Sequence, residues 1–318
     1  MEWYIVVFIF LLSCAVLAWL SSRMVRSLTK IGKFLGLKEF VIAFFVMALA
    51  ASLPNLFVDL NAALQHKPEI AFGDIVGGNL VDLTIVLAVA ALFSKKGLAV
   101  KSRMVQTSAI FTAAIAVLPL LLMWDGRLER MDGIVLLFAF LLYSWWLFSE
   151  KDRFKKVYRH TEEKIQFKTF FFSIVEVIFL LLLLVLASQA VVWSAQFFAD
   201  KLGISLSLVG ILIVGMGNCF PELYFSIISA RKDENSMVMG DLMGSVINCA
   251  TLVLGIIALV APFEIKDFSL FVAARTFLFI AAAFSLLFII TNKKISKKEA
   301  LFLLFIYIAF LMVEIFIK

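Results

Sequence analysis

The chain has 318 residues, 63% of them hydrophobic and only 16% charged, with a mean hydropathy of +1.05. That leaves too little polar surface to coat a water-soluble globule, and ten helical spans of about 20 apolar residues would use roughly 200 positions, which excludes a large soluble domain. The net charge of +6 and the isoelectric point near 9.2 would suit a nucleic-acid binder, but in a membrane protein surplus Lys and Arg report topology first.

From the N-terminus, Met1-Glu2-Trp3-Tyr4 runs into an apolar stretch to about Leu20, with Arg23 and Arg26 after it. A signal peptide has the opposite order, so a retained first helix is expected. Leu11-Leu12-Ser13-Cys14 has the outline of a lipoprotein cleavage site, but without a basic leader Cys14 reads as a core residue. Further apolar segments follow at 39–64, 71–93, 105–123, 132–149, 169–196, 205–230, 238–261, 268–290 and 299–317. Sorting Lys and Arg by alternate loops puts about 22 on one side and 6 on the other, which predicts that both termini lie outside. The expected fold class is therefore an all-α membrane protein of ten transmembrane helices, in a prokaryotic plasma membrane.

Cys14, Cys219 and Cys249 all sit in apolar stretches, which argues against a disulfide framework or a zinc cluster. His66 and His160 fall in loops, so neither haem nor a histidine metal site is expected, and no cofactor is predicted. The polar loop 150–168 separates residues 1–149 from 169–318, five predicted helices each. An odd number per half gives the halves opposite orientations, as inverted-repeat transporters require. At about 19 residues the loop, expected on the cytoplasmic side, has no room for a regulatory domain.

Sliding the sequence against itself by 167 residues aligns spans two and three with seven and eight without a gap. Pro54 falls on Pro221, Gly73-Asp74 on Gly240-Asp241, Gly77 on Gly244 and Thr84 on Thr251. Proline inside a helix removes a backbone hydrogen bond and bends it, and carbonyls freed at membrane depth can coordinate a cation where they line a polar cavity. Pro54 and Pro221 are thus predicted helix breaks, and Gly73, Gly77, Gly240 and Gly244 positions of close helix packing. Around the prolines lie Ser52, Asn55, Asp59 and Asn61 in one repeat and Asn218, Cys219, Glu222 and Ser226 in the other; after the Gly-Asp elements come Asn79 and Asp82, then Ser245, Asn248 and Cys249.

Ionisable groups at membrane depth cost about 2.5 kcal/mol or more each and are functional candidates by default. Here they are Asp59, Asp74, Asp82, Glu176, Glu222, Asp241, Arg275 and Glu314. Arg275 and Glu314 lie near predicted helix ends, where snorkelling or an ion pair accounts for them, and Glu176 is assigned no role. The five acids of the repeats predict an electronegative site built of oxygens, suited to Na+ or Ca2+.

These motifs resemble the cation/calcium antiporter superfamily, the sodium/calcium exchangers in particular. Each repeat of that family reads roughly Gly-(Thr/Asn)-Ser-x-Pro-Glu, then Gly-Asn-x-x-Gly-Ser-Asn-x-x-(Asn/Asp). Here the second repeat reads Gly217-Asn218-Cys219-Phe220-Pro221-Glu222, then Gly240-Asp241-Leu242-Met243-Gly244-Ser245-Val246-Ile247-Asn248-Cys249. The first reads Ala50-Ala51-Ser52-Leu53-Pro54-Asn55, then Gly73-Asp74-Ile75-Val76-Gly77-Gly78-Asn79-Leu80-Val81-Asp82. The resemblance places the four central ion-binding positions on Asn55, Asp82, Glu222 and Cys249, with Asp82 and Glu222 as the retained metal-binding acids. Asn55 and Cys249 depart from the family's Glu and Asn/Asp, and Asn248 is an alternative oxygen donor if the helix is rotated there. Asp59, one turn after Asn55 on the same face, is a carboxylate in a position to compensate. The expected centre is thus Asp59, Asp82 and Glu222, with Ser52, Asn55, Asn218 and Ser245 as neutral ligands. Asp74 and Asp241 are expected either to be proton-linked or to hydrogen-bond exposed backbone.

The resemblance implies a transporter and not an enzyme. It would exchange Na+ for Ca2+ by alternating access, with the helices at 3–20 and 169–196 sliding across the core, and its partners would be the lipid bilayer and inorganic cations, not nucleic acid. Three other readings stay open. They are exchange with H+, since carboxylates in apolar surroundings can titrate near neutrality; a degenerate family member with weak or no Ca2+ transport; and, remotely, an intramembrane aspartyl protease. The last needs Gly-x-Gly-Asp, whereas 71–74 read Ala-Phe-Gly-Asp and 238–241 Val-Met-Gly-Asp.

Overall fold

The computed structural model describes residues 2–34, 52–100, 103–149, 167–265 and 271–316. They form helices α1 (Trp3–Phe34), α2 (Leu53–Leu64), α3 (Pro68–Phe93), α4 (Arg103–Leu122), α5 (Arg130–Ser149), α6 (Phe167–Leu202), α7 (Leu206–Asn218), α8 (Phe220–Arg231), α9 (Asn235–Val260), α10 (Val272–Asn292) and α11 (Lys297–Phe316). Residues 39–51 of the expected span 39–64 and nearly all of the 150–168 linker lie outside the described residues. The all-α expectation is modified by two short antiparallel pairings, β1 (Leu98–Ala99) with β4 (Lys294–Ile295) and β2 (Arg127–Leu128) with β3 (Phe263–Glu264).

Among the described residues, seven helices are long and apolar enough to cross a bilayer, or eight if α7 and α8 are one span bent by 40°. The difference from ten has two sources. α2, at 12 residues, is too short to span by itself, and α11 opens on Lys297, Lys298 and Glu299 before its apolar run.

The 167-residue register runs through the backbone. α2 and α8, α3 and α9, and α5 and α11 begin and end 167 residues apart, as do β2 and β4. The turn after α2 and the turn after α8 carry a left-handed residue at the same position, His66 (φ 58°) and Asp233 (φ 59°). Both are closed by matching bonds, from Lys67 N–H to the Ala62 carbonyl and from Glu234 N–H to the Ser229 carbonyl. Each proline sits in the first turn of its helix, Pro54 in α2 and Pro221 in α8, where its missing N–H breaks no intrahelical bond. The prolines therefore start helices instead of kinking their interiors, and α7 stops at Asn218, with Cys219 between it and α8.

Three turns widen to π-helix: Asp82–Val86 in α3, Gly210–Val214 in α7 and Asn248–Val253 in α9. The apolar side chains pack as two main clusters. One joins α1, α2, α6 and α7; the other is built largely on α3, α4, α9, α10 and α11. α3 and α7 cross at glycines: a Cβ on Gly77 would stand 2.2 Å from the Ile211 carbonyl oxygen, and one on Gly215 2.7 Å from Gly78 N. The repeat-mates behave differently, because no described atom lies within 4 Å of a Cβ on Gly240 or Gly244. The predicted close packing is thus seen at Gly73 and Gly77 and not at their counterparts.

α1 and α6, at 32 and 36 residues, lie along each other. At 1.5 Å per residue they reach about 48 and 54 Å, well beyond a hydrocarbon core of about 30 Å, so they tilt or project. Few of their side chains are covered by protein.

Candidate functional site

Both repeats deliver their polar residues to the seam between the two clusters. A small cavity there, with about 10 Å³ of space and room for roughly one water-sized particle, is lined by Asn55 and Asp59 from α2 and by Asp74, Gly78, Asn79 and Asp82 from α3. Asn218, Cys219, Ser245 and Cys249 complete it from the second repeat. The sequence explains the placement. The helix start at Pro54 sets Asn55 and Asp59 one turn apart on one face of α2, and the Gly-rich stretch of α3 lets α7 approach closely enough to bring Asn218 in.

Asp59 is fully buried, and neither of its carboxylate oxygens receives a hydrogen bond from a described donor. It faces the Asp74 carboxyl, whose Oδ2 accepts a 2.5 Å bond from Asn218 Nδ2. Two carboxylates in contact are both acceptors, so the pair needs a proton or a cation between them. Asp82, 2% exposed, pairs with the Ser245 side chain while its Oδ1 lacks a partner. Asn55 Nδ2 donates to Cys249 Sγ at 3.1 Å, so the two positions that depart from the family pattern bond to each other. Burial of unpaired carboxylates is costly unless a counter-charge is supplied, and among the described residues no basic side chain lines this cavity.

Other residues singled out in the sequence do not line this cavity. Glu222 and Asp241 are electrostatically close to Asp82, and Glu222 Oε2 and Asp241 Oδ2 are buried without a hydrogen-bond partner. Ser52 is buried at the N-cap of α2, and Asn248 opens the π-turn of α9. Asn61 faces away: its Nδ2 donates to Ser188 Oγ and to the Val185 carbonyl of α6. Glu176 accepts from Ser27 Oγ at 2.6 Å and lies 3.9 Å from Arg23, tying α6 to α1. Among the described residues no three His, Cys, Asp or Glu side chains converge as a metal cluster.

The π-turns were not anticipated. Two of them place Asp82 and the pair Asn248 and Cys249 at their first positions, and such turns free backbone carbonyls and recur at functional sites. Thr84 and Thr251 bond the Leu80 and Ile247 carbonyls four residues back. The match of these threonines across the repeat, each in an apolar helix, was the signal available in the sequence.

The model of the family described as "Sodium/calcium exchanger protein" matches residues 5–149 and 172–316. The inner membrane protein YrbG of Escherichia coli is 28% identical over 280 residues, covering 84% of this chain and 83% of its own length. The sodium/calcium exchanger MaX1 of Methanosarcina acetivorans is 27% identical over 341 residues, covering 93% and 95%. Among solved structures, the sodium-calcium exchanger NCX_Mj soaked with 2.5 mM Na+ and 10 mM Sr2+ superposes with a TM-score of 0.63 at 24% identity, covering 97% of this chain and 98% of that one. The H+/Ca2+ exchanger CAX superposes with 0.76 at 17% identity, covering 96% and 82%. With both repeats spanned by the family model and the whole fold shared, this chain belongs to the sodium/calcium exchanger protein family.

Proposed function

We propose that this protein is a secondary antiporter that exchanges Na+ for Ca2+ across a prokaryotic plasma membrane by alternating access. Its ten spans form two inverted five-helix halves with both termini outside. The contacts between loops support that topology. Lys95 reaches Asp233, and β1 pairs with β4, joining loops assigned to the cytoplasmic side. Arg127 reaches Glu264, and β2 pairs with β3, joining loops assigned outside.

The observation that carries the ion-binding reading is the buried, donor-less carboxylate of Asp59 in a cavity also lined by Asp82 and by amide and hydroxyl groups of both repeats. Asp59, Asp82 and Glu222 form the charged centre, and Ser52, Asn55, Asn218 and Ser245 complete the shell with neutral oxygens, a donor set for hard cations. Asp59 supplies the carboxylate that Asn55 lacks. In proteoliposomes, a Na+ gradient should drive 45Ca2+ uptake, and Asp59→Asn and Glu222→Gln should each reduce it at least tenfold. Unchanged uptake in both variants would refute the assignment.

A second reading, H+/Ca2+ exchange, is favoured by the facing carboxyls of Asp59 and Asp74, which can share a proton as well as a cation. Uptake driven by a pH gradient at equal Na+ on both sides would establish it.

A further inference from the structure

The two repeats are not in the same conformation, and one hydrogen-bonded pair marks the difference. α2 packs along α6, whereas among the described residues its repeat-mate α8 makes little contact with α1, the repeat-mate of α6. On the α2 side the contact contains a polar tie. Asn61 Nδ2 donates to Ser188 Oγ at 2.5 Å and to the Val185 carbonyl at 3.3 Å, while the Ser188 hydroxyl itself donates to that carbonyl at 2.8 Å. Ser188 is fully buried. Asn61 stands two residues beyond Asp59, about 200° around the helix, so α2 presents Asp59 to the cavity and Asn61 to α6.

In the 167-residue register the mate of Asn61 is Ile228 and the mate of Ser188 is Ser21. The second repeat therefore keeps the hydroxyl and lacks the amide. In a transporter of inverted repeats the alternate access state is the one in which the halves exchange conformations: α8 closes on α1 while α2 leaves α6. If the repeats were identical, the two states would have equal energy. A bond available to one closed pairing and not to the other shifts that balance by the differential interaction alone.

We infer that Asn61 and Ser188 are positioning residues that hold the protein in the access state closed between α2 and α6, with Ile228 as the counterpart that leaves the opposite closure untied. The inference rests on the alternating-access reading above but not on the identity of the transported ions.

Hydrogen–deuterium exchange of the purified full-length protein, read on peptides covering 53–64 and 220–231, tests it. In the wild type α2 should be better protected than α8. Asn61→Ile, which copies the second repeat, should lower protection of α2 and raise that of α8, changing their ratio about threefold to tenfold, the worth of one buried hydrogen bond. Ile228→Asn, which offers Ser21 an amide, should move the ratio the opposite way. Ser188→Ala should follow Asn61→Ile, and Ser188→Thr should restore the wild-type ratio. Changes of the same sign in both helices, or an unmoved ratio in Asn61→Ile, would overturn the inference. Reciprocal shifts in a protein that moves no Ca2+ in proteoliposomes would leave it standing and defeat the Na+/Ca2+ reading instead.

Discussion

Asp59 and Cys249 show how the chemistry of this site departs from a symmetric pattern. The carboxylate missing at Asn55 reappears one turn later and reaches the cavity, whereas nothing comparable replaces Cys249, whose sulfur instead accepts the Asn55 amide. A carboxylate at 249 would accept the same amide and add a hard, charged ligand, so Cys249→Asp should tighten Ca2+ binding by about tenfold, the worth of roughly 1.4 kcal/mol, as isothermal titration would show. Cys249→Ser should keep the Asn55 bond and change Ca2+ affinity by less than about threefold, since one neutral acceptor replaces another. The sequence made these acids visible because charge at membrane depth is rare. It left the role of Asn61 undecided, since an amide two residues from Asp59 has the same composition whether it faces a cavity or a neighbouring helix.

At the scale of helices, the glycines separate into two kinds. Gly77 sits where backbone meets backbone, and an added methyl would collide with the Ile211 carbonyl. Gly77→Ala should therefore force α3 and α7 apart and destabilise the fold by about 1–3 kcal/mol, lowering the thermal unfolding midpoint in detergent. Gly244→Ala meets no described atom within 4 Å and should leave that midpoint within about a degree, a contrast that matching sequence positions do not foretell. The same limit applies to the π-turns. Thr84 and Thr251 stand at equivalent places in the repeat, yet apolar periodicity over seven or eight residues does not distinguish a wide turn from a regular one. The proline positions were legible, but their consequence differed from an interior kink: a first-turn proline begins a helix, and before Pro221 the chain bends by 40°.

For the molecule as a whole, charge and hydropathy foretell which loops share a side, and tertiary contacts join loops assigned to the same side at Lys95 with Asp233 and at Arg127 with Glu264. The prediction at this scale is topological. A C-terminal green fluorescent protein fusion should be dark and a C-terminal alkaline phosphatase fusion active in a bacterial host, because the proposed ten-span arrangement would put the C-terminus outside; the reverse result would remove one span from the count. Residues engineered for labelling at His66 and Ile204 should react from outside, and at Ser94 and Asp233 from inside.

Composition, the positive-residue alternation and the 167-residue register determined by themselves that the chain is a helical membrane protein of two related halves with acids at their centre. These properties are local or periodic, set by how each segment partitions between water and lipid. Tertiary structure alone decided which of the acids share a cavity, which glycines touch backbone, and that among the described residues α2 lies on α6 while α8 makes little contact with α1. Those outcomes depend on how tilted helices pack against one another, and two repeats that share a register but differ at most positions, Asn61 against Ile228 among them, can pack differently.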